Sequence, residues 1–253
     1  MVTSVKLLNE NKIVTCFIDK SIKIWDLSTG NCQKTFLGHS QAVWCIAIIS
    51  NERIASCSQD CSVRVWEVES GQCSKILNGH TCAVTRIAKL SNENLLSVSL
   101  DKTIKLWNLY SGKCLRTFKG HLQGVECVGI LSREKILSGS WDNTIKVWNA
   151  VSGDCLQTLE GHTDGVNGIQ VLSNEMIISG SADKTIRIWC LTTNSCIQTI
   201  NGHLDSVTGI QVLSNEKLAS CSNDKTIKIW DLASGSCLKT FHSEDFISSI
   251  DVF

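Results

Sequence analysis

Six tryptophans set the phase of this chain. Trp25, Trp66, Trp107, Trp148, Trp189 and Trp230 lie 41 residues apart, and the pairs Gly38-His39, Gly79-His80, Gly120-His121, Gly161-His162 and Gly202-His203 keep the same spacing. Self-similarity at this period marks an architecture of stacked units, none of which buries its apolar faces alone. Between a Gly-His pair and the next tryptophan the pattern is constant, as in GHLDSVTGIQVLSNEKLASCSNDKTIKIWD from Gly202 to Asp231. The segment VTGIQVL is apolar at its first, fourth and sixth positions, and a turn at SNE follows it. A short apolar stretch ending in small residues (KLASCS), a turn at the aspartate, the alternating strand TIKIW, a Gly-containing turn and a fourth strand SCLKTF complete the unit. Short runs bounded by turn residues predict four strands per unit.

A four-stranded antiparallel sheet of this size must lean on its neighbours, and radial stacking leaves only short edges. A two-sheet sandwich gives no reason for one aromatic to return six times in fixed phase. The expected fold is therefore all-β, a propeller of four-stranded antiparallel blades forming a single domain over residues 1–253. The blades are expected at about 2–37, 43–78, 84–119, 125–160, 166–201 and 207–242. The segment DFISSIDVF repeats the apolar spacing of a first strand, so an extra strand is expected at 246–253. Two closures compete: six complete blades with that strand added, or part of a seven-bladed propeller lacking most of its last blade.

Composition narrows the function classes. With 24 basic and 24 acidic residues the formal net charge is zero, which gives no general attraction to nucleic acid or anionic membrane. The apolar runs are too short for membrane insertion by a helix, and MVTSVKLLNENK lacks a secretory signal pattern. Proline is absent, so Asn, Gly, Ser and Asp make the turns. Of the 14 cysteines, Cys32, Cys73, Cys114, Cys155, Cys196 and Cys237 share one phase on the fourth strand, as expected of small apolar side chains between blades. Cys16, Cys57 and Cys221 share another. Thiols locked to different units should not bridge, which implies a reducing, cytoplasmic compartment, a reading that leaves nuclear presence open. Cys61 and Cys82 fall off the period in loops of neighbouring blades, and they lack the further ligands a metal would need.

The Gly-His pair, the aspartate turn and the tryptophan-aspartate ending resemble WD40 repeats, and the likeness covers nearly the whole chain. The resemblance implies a hydrogen-bonded set in each unit, from histidine, second-strand serine, turn aspartate and tryptophan. On this chain the sets are His39, Ser56, Asp60 and Trp66; His80, Ser97, Asp101 and Trp107; His121, Ser138, Asp142 and Trp148; His162, Ser179, Asp183 and Trp189; and His203, Ser220, Asp224 and Trp230. Unit one keeps Thr15, Asp19 and Trp25 without a histidine. Imidazole and indole N–H groups need acceptors when buried, so a shared network is chemically reasonable. Five copies of a Ser, His and Asp constellation, each ending in an indole, argue for scaffolding over a nucleophilic triad. No Gly-rich phosphate loop or HExxH pattern is present, so no catalytic residue, cofactor or metal is expected.

Recognition is expected where the period breaks. Trp141 precedes a turn aspartate at a place filled elsewhere by Ile18, Gln59, Leu100, Ala182 and Asn223. Trp44 begins a first strand, where Thr85, Glu126, Asn167 and Thr208 stand in other units. The candidate partner surface is Trp141, Trp44 and Leu100, surrounded by Gln59, Glu126, Asn167, Thr208 and Asn223. The competing reading for either tryptophan is packing against a neighbouring loop. Lys23, Arg64, Lys105, Lys146, Arg187 and Lys228 recur two residues before the framework tryptophan. Their distribution over separate blades disperses the charge, so no direct nucleic-acid binding is expected.

The function expected is a non-enzymatic scaffold or adaptor for a protein or peptide partner, of unassigned oligomeric state. The phrases KIVTC and EKLASCSNDKTIKIWD are similar to the propellers of F-box/WD40 substrate receptors, which implies substrate recognition for a ubiquitin ligase as an alternative. This sequence carries no helical F-box segment, and no arginine precedes its turn aspartates. An architectural component assembling through edge strands, or an enzyme with an unrecognised site, complete the alternatives.

Overall fold

The structure is a computed structural model that describes residues 1–91, 93–173, 175–213 and 216–245. It contains six four-stranded antiparallel sheets, each with its strands in chain order, the blades of the β-propeller class. Among the described residues there is no helix, and so none long and apolar enough to cross a membrane. The extra strand expected at 246–253 lies outside the described residues.

The sheets fall into two compact units. The first, Met1–Gly120, carries blades 1 to 3. Blade 1 is β1 (Val2–Asn9), β2 (Lys12–Phe17), β3 (Ile22–Asp26) and β4 (Cys32–Phe36); blade 2 is β5 (Val43–Ser50), β6 (Arg53–Ser58), β7 (Val63–Glu67) and β8 (Cys73–Leu77). Blade 3 is β9 (Val84–Lys89), β10 (Asn94–Ser99), β11 (Thr103–Asn108) and β12 (Cys114–Lys119). The second unit begins at His121 and carries blades 4 to 6. These are β13 (Val125–Ile130), β14 (Lys135–Ser140), β15 (Ile145–Asn149) and β16 (Cys155–Leu159); β17 (Val166–Val171), β18 (Met176–Ser181), β19 (Ile186–Cys190) and β20 (Ser195–Ile200); and β21 (Val207–Val212), β22 (Lys217–Ser222), β23 (Thr226–Asp231) and β24 (Cys237–His242).

Side-chain alternation explains why one blade cannot stand alone. Ile54 and Ala55 are neighbours on β6 and point to opposite faces. Ile54 joins Val14, Ile22 and Phe36 of blade 1, together with Trp66; Ala55 joins Leu95 and Trp107 of blade 3. In the second unit Leu137, Ile145 and Leu159 of blade 4 pack with Ile177 and Trp189 of blade 5, and Ile178, Ile186 and Ile200 pack with Leu218 and Trp230 of blade 6. Trp66, Trp107, Trp189 and Trp230 thus each fill a core shared with the preceding blade.

Two irregularities recur. The pairing of third with fourth strand shifts register at the tryptophan in every blade, as between Val65 and Trp66. The pairing of first with second strand shifts near its start, leaving Thr3, Trp44, Thr85, Glu126, Asn167 and Thr208 as the extra residue of a bulge. A bulge re-aims one side chain and leaves its backbone outside the ladder.

The fourth-strand cysteines correct an expectation. Cys32, Cys114, Cys155 and Cys237 are exposed and do not fill a core between blades, whereas Cys73 and Cys196 are half-buried and pack on the cores shared by blades 1 and 2 and by blades 4 and 5, as expected. The fourth strand is the outermost of each sheet, and these residues sit at its start beside the register shift. All 14 cysteines are free thiols.

Candidate functional site

The second strand of a blade ends beside the turn that carries the aspartate, which brings four side chains of distant sequence position onto one hydroxyl. In blades 2 to 6 the tryptophan Nε1–H donates to the serine Oγ at 2.7–2.8 Å. The same Oγ lies 2.6–2.7 Å from the histidine Nε2. Histidine Nδ1 lies 2.7–2.8 Å from the aspartate Oδ2. One proton arrangement satisfies every group: Nδ1–H donates to the carboxylate, and the serine O–H, already accepting from indole, donates to Nε2. Imidazole and indole also meet edge-on, with centroids 5.7–6.2 Å apart.

The carboxylate has further partners. The backbone N–H after each histidine donates to Oδ2 at 2.8–3.1 Å. The hydroxyls of Ser62, Thr103, Thr144, Thr185 and Thr226 donate to Oδ1 at 2.6 Å. Burial alone would raise these aspartates, but the bonds from imidazole, hydroxyl and backbone outweigh it and hold all five carboxyls well below the ordinary range. Burial pushes the His203 imidazole down despite Asp224 beside it, consistent with a neutral ring. The glycine before each histidine has a steric reason: at Gly202 φ is +144°, and a Cβ there would lie 3.0 Å from the Trp230 ring.

Every one of the five serines is 0% exposed, so no nucleophile of this constellation faces solvent. In blade 1, without a histidine, Thr15 Oγ1 accepts from Trp25 Nε1 at 2.7 Å and Ser21 binds Asp19. The recurrent bases also work within their blades: Lys105, Lys146 and Lys228 donate to Thr117, Thr158 and Thr240 on the outer strand at 2.9–3.0 Å. Lys23 lies over the rings of Phe17 and Trp25. Among the described residues, no three His, Cys, Asp or Glu side chains converge as a metal would require.

The same aspartate turn explains why its preceding residue varies. The backbone N–H of Ile18, Gln59, Leu100, Trp141, Ala182 and Asn223 donates to a carbonyl just ahead of its own blade's first strand, that of Met1, Ala42, Ala83, Gly124, Gly165 and Ser206, at 2.8–3.2 Å. The residue after the aspartate is held at φ of 65–75° in all six turns. The main chain is therefore fixed while the side chain is unconstrained by it, a rigid mount for variable chemistry.

In the second unit the candidates share one rim. Trp141 is 45% exposed, and its indole rests on Gly165 of the next blade, where a Cβ would lie 3.1 Å from Cδ1. Asn167, on the bulge beyond Gly165, donates to Ser206 Oγ and the Val207 carbonyl at 3.0 and 2.9 Å. Thr208 Oγ1 donates to the Cys221 carbonyl at 3.3 Å, and Asn223 binds Ser206 through its backbone. Glu126 is half-buried at the bulge of blade 4. In the first unit Gln59 is exposed, Leu100 half-buried, and Trp44 packs on the core around Cys45, Ala47 and Val84. Asn167 and Thr208 thus tie down bulge backbone, and Trp44 adds to the core.

Leu122 and Leu204, 78% and 81% exposed, were not singled out by sequence reasoning. Each follows a framework histidine and is anchored by its N–H to Asp142 or Asp224. The signal was available: the equivalent residues are Ser40, Thr81 and Thr163.

Comparison with known proteins agrees with this geometry. The family model "WD domain, G-beta repeat" matches residues 30–67, 71–108, 112–149, 153–190 and 194–231, well over half of the chain. The chain belongs to the WD40 repeat family. Each match starts just ahead of the fourth strand of one blade and ends with the third strand of the next, so sequence repeat and blade are one strand out of phase. The chain is similar to the "Probable E3 ubiquitin ligase complex SCF subunit sconB" of Aspergillus niger, with 49% identity over 35 residues, 14% of this chain and 5% of that protein. It is similar to the "F-box/WD repeat-containing protein A" of Dictyostelium discoideum, 49% over 41 residues, 16% and 3% of the two chains. "Mitogen-activated protein kinase kinase kinase A" of the same organism is 43% identical over 37 residues, 15% and 4%. The matches therefore span a small fraction of these relatives.

Proposed function

We propose that the chain is a non-enzymatic adaptor of the cytoplasm that holds a protein or peptide segment on the rim bearing Trp141. The observation that carries this reading is the fixed backbone at residue 141 under a half-exposed indole. Leu122, in the loop ahead of the same blade, and Leu204, in the loop ahead of blade 6, are largely exposed as well. An aromatic anchor beside polar groups already engaged by the scaffold is the composition of a binding hot spot. The deeply buried serines support a binding role over a catalytic one.

A second reading, substrate recognition within a ubiquitin ligase assembly, draws support from the names of the relatives above. Under it, ligase subunits accompany the chain when it is captured from cells.

The test is affinity capture from native cytosol with the intact chain beside Trp141→Ala, followed by titration of the captured partner. Trp141→Ala should keep its thermal midpoint, because no core depends on residue 141, and weaken binding about 30-fold, the effect of losing ~2 kcal/mol at a hot spot. Equal affinity for both proteins would contradict the reading.

A further inference from the structure

Cys45 on β5 and Cys57 on β6 are direct partners across the antiparallel ladder, next to the Trp44 bulge. Among the described residues this is the one place where thiol opposes thiol at this position. The equivalent pairs are Ser4 with Cys16, Arg86 with Val98, Cys127 with Gly139, Gly168 with Gly180 and Gly209 with Cys221. Opposed residues of an antiparallel pair have Cα atoms about 4.5–5.5 Å apart, inside the ~4.4–6.8 Å that a disulfide spans, so the strands need not move to bridge them.

The surroundings divide the labour between the two sulfurs. Cys45 Sγ reaches the next blade, 3.9 Å from the Ile87 carbonyl. The side chain of Arg86, which occupies the Cys45 position of that blade, exerts its positive charge on it. A hydrogen bond from Cys57 and then, against the opposing effect of burial, the Arg86 guanidinium hold Cys45 below the ordinary thiol range. Burial, and then the neighbouring Cys45, push Cys57 up, so it keeps its proton. Cys16, close by, is pushed up to about 12 by burial and is bound to Thr3 Oγ1 at 3.2 Å, which withdraws it from competition. Cys45 is 7% exposed and Cys57 0%, so the oxidant that reaches them has to be near the size of water.

We propose that Cys45 and Cys57 form an oxidation site that closes a cross-strand disulfide on exposure to a peroxide. The Cys45 thiolate attacks one peroxide oxygen, the O–O bond breaks, and the leaving hydroxide takes up a proton as water, giving Cys45–SOH. The Cys57 thiol then attacks that sulfur, its proton leaves with the hydroxyl as a second water, and the S–S bond forms. Two electrons pass from the two sulfurs to one hydrogen peroxide. The bridge would rivet β5 to β6 beneath Trp44 and Gln59, and its formation does not depend on the partner proposed above.

The experiment treats the full chain with hydrogen peroxide, blocks remaining thiols with iodoacetamide and maps peptides with and without reductant. The expected result is a reducible Cys45–Cys57 link that persists in Cys61→Ser, which excludes the nearby thiol carried on the same tryptic peptide. Cys57→Val places at this position the residue found at Val98, and it should leave Cys45 as a sulfenic acid that dimedone traps when the chain is unfolded in its presence. Arg86→Gln should move the pH below which linking slows upward, because it removes the positive charge that favours the Cys45 thiolate. Retention of both thiols while Cys32 and Cys114 are oxidised, a link from Cys45 to Cys16 or Cys61, or an unchanged pH profile in Arg86→Gln would each overturn the proposal.

Discussion

Ser97→Ala should destabilise the protein by about 2–5 kcal/mol, far more than the loss of one hydroxyl elsewhere. Ser97 Oγ accepts from Trp107 Nε1 and meets His80 Nε2, and all of this lies where water has no access. Its removal leaves two buried polar atoms unpaired at once, each costing roughly 1–3 kcal/mol. Thr15→Ala supplies the comparison: Thr15 serves the half-buried Trp25 alone, with no imidazole behind it, and should cost about 1 kcal/mol. Urea midpoints at unchanged slope measure both. A Ser97→Ala loss no larger than that of Thr15→Ala would show that the hydroxyl is not the hub of the network.

Acidification should unfold the chain in two stages. His203 and the five turn aspartates are all held below their ordinary values, so their deprotonated forms are the ones the fold favours. Below those ordinary values the unfolded chain binds more protons, and stability therefore rises with pH. The His203 contribution is complete above its ordinary 6.5 and is lost as the pH falls from there. The larger carboxylate contribution is complete above 3.8 and is lost as the pH falls further. Thermal midpoints should be level near pH 8, decline gently below 6.5 and drop steeply below 3.8. Asp101→Asn should start lower at neutral pH and show a shallower acid limb. Midpoints that improve on acidification would reverse the assigned sign.

Much of this organisation is legible in the sequence because it repeats. The 41-residue spacing of Trp66, Trp107, Trp148, Trp189 and Trp230 places the third strand of every blade, and the Gly-His pairs place the loop opposite it. The hydrogen-bonded set followed from resemblance, and the hydroxyls of Ser62, Thr103, Thr144, Thr185 and Thr226 were as regular in the sequence but drew no attention. What a period does not encode is how far each outer strand meets solvent: Cys32, Cys114, Cys155 and Cys237 look like core thiols in the sequence but are exposed on the outermost strand of their sheets, while Cys73 and Cys196 pack on a core. Nor does it encode bulges. Trp44, Asn167 and Thr208 vary like recognition residues, yet at their bulges Trp44 packs on the core and the side chains of Asn167 and Thr208 hydrogen-bond to main-chain carbonyls of Val207 and Cys221. Leu122 and Leu204 were hidden by their neighbours, since the histidine before each dominates the pattern.

The periodic indoles on the third strands are fastened inside the blades, whereas Trp141, on the turn of Asp142, is presented to solvent. Hydrogen exchange of the indole Nε1–H groups, resolved by NMR on the intact chain, tests this contrast most directly. Strong protection is expected for Trp66, Trp107, Trp148, Trp189 and Trp230, weaker protection for Trp25, and exchange near the solvent rate for Trp141. A framework indole exchanging as fast as Trp141, or a Trp141 protected like the other five, would contradict it.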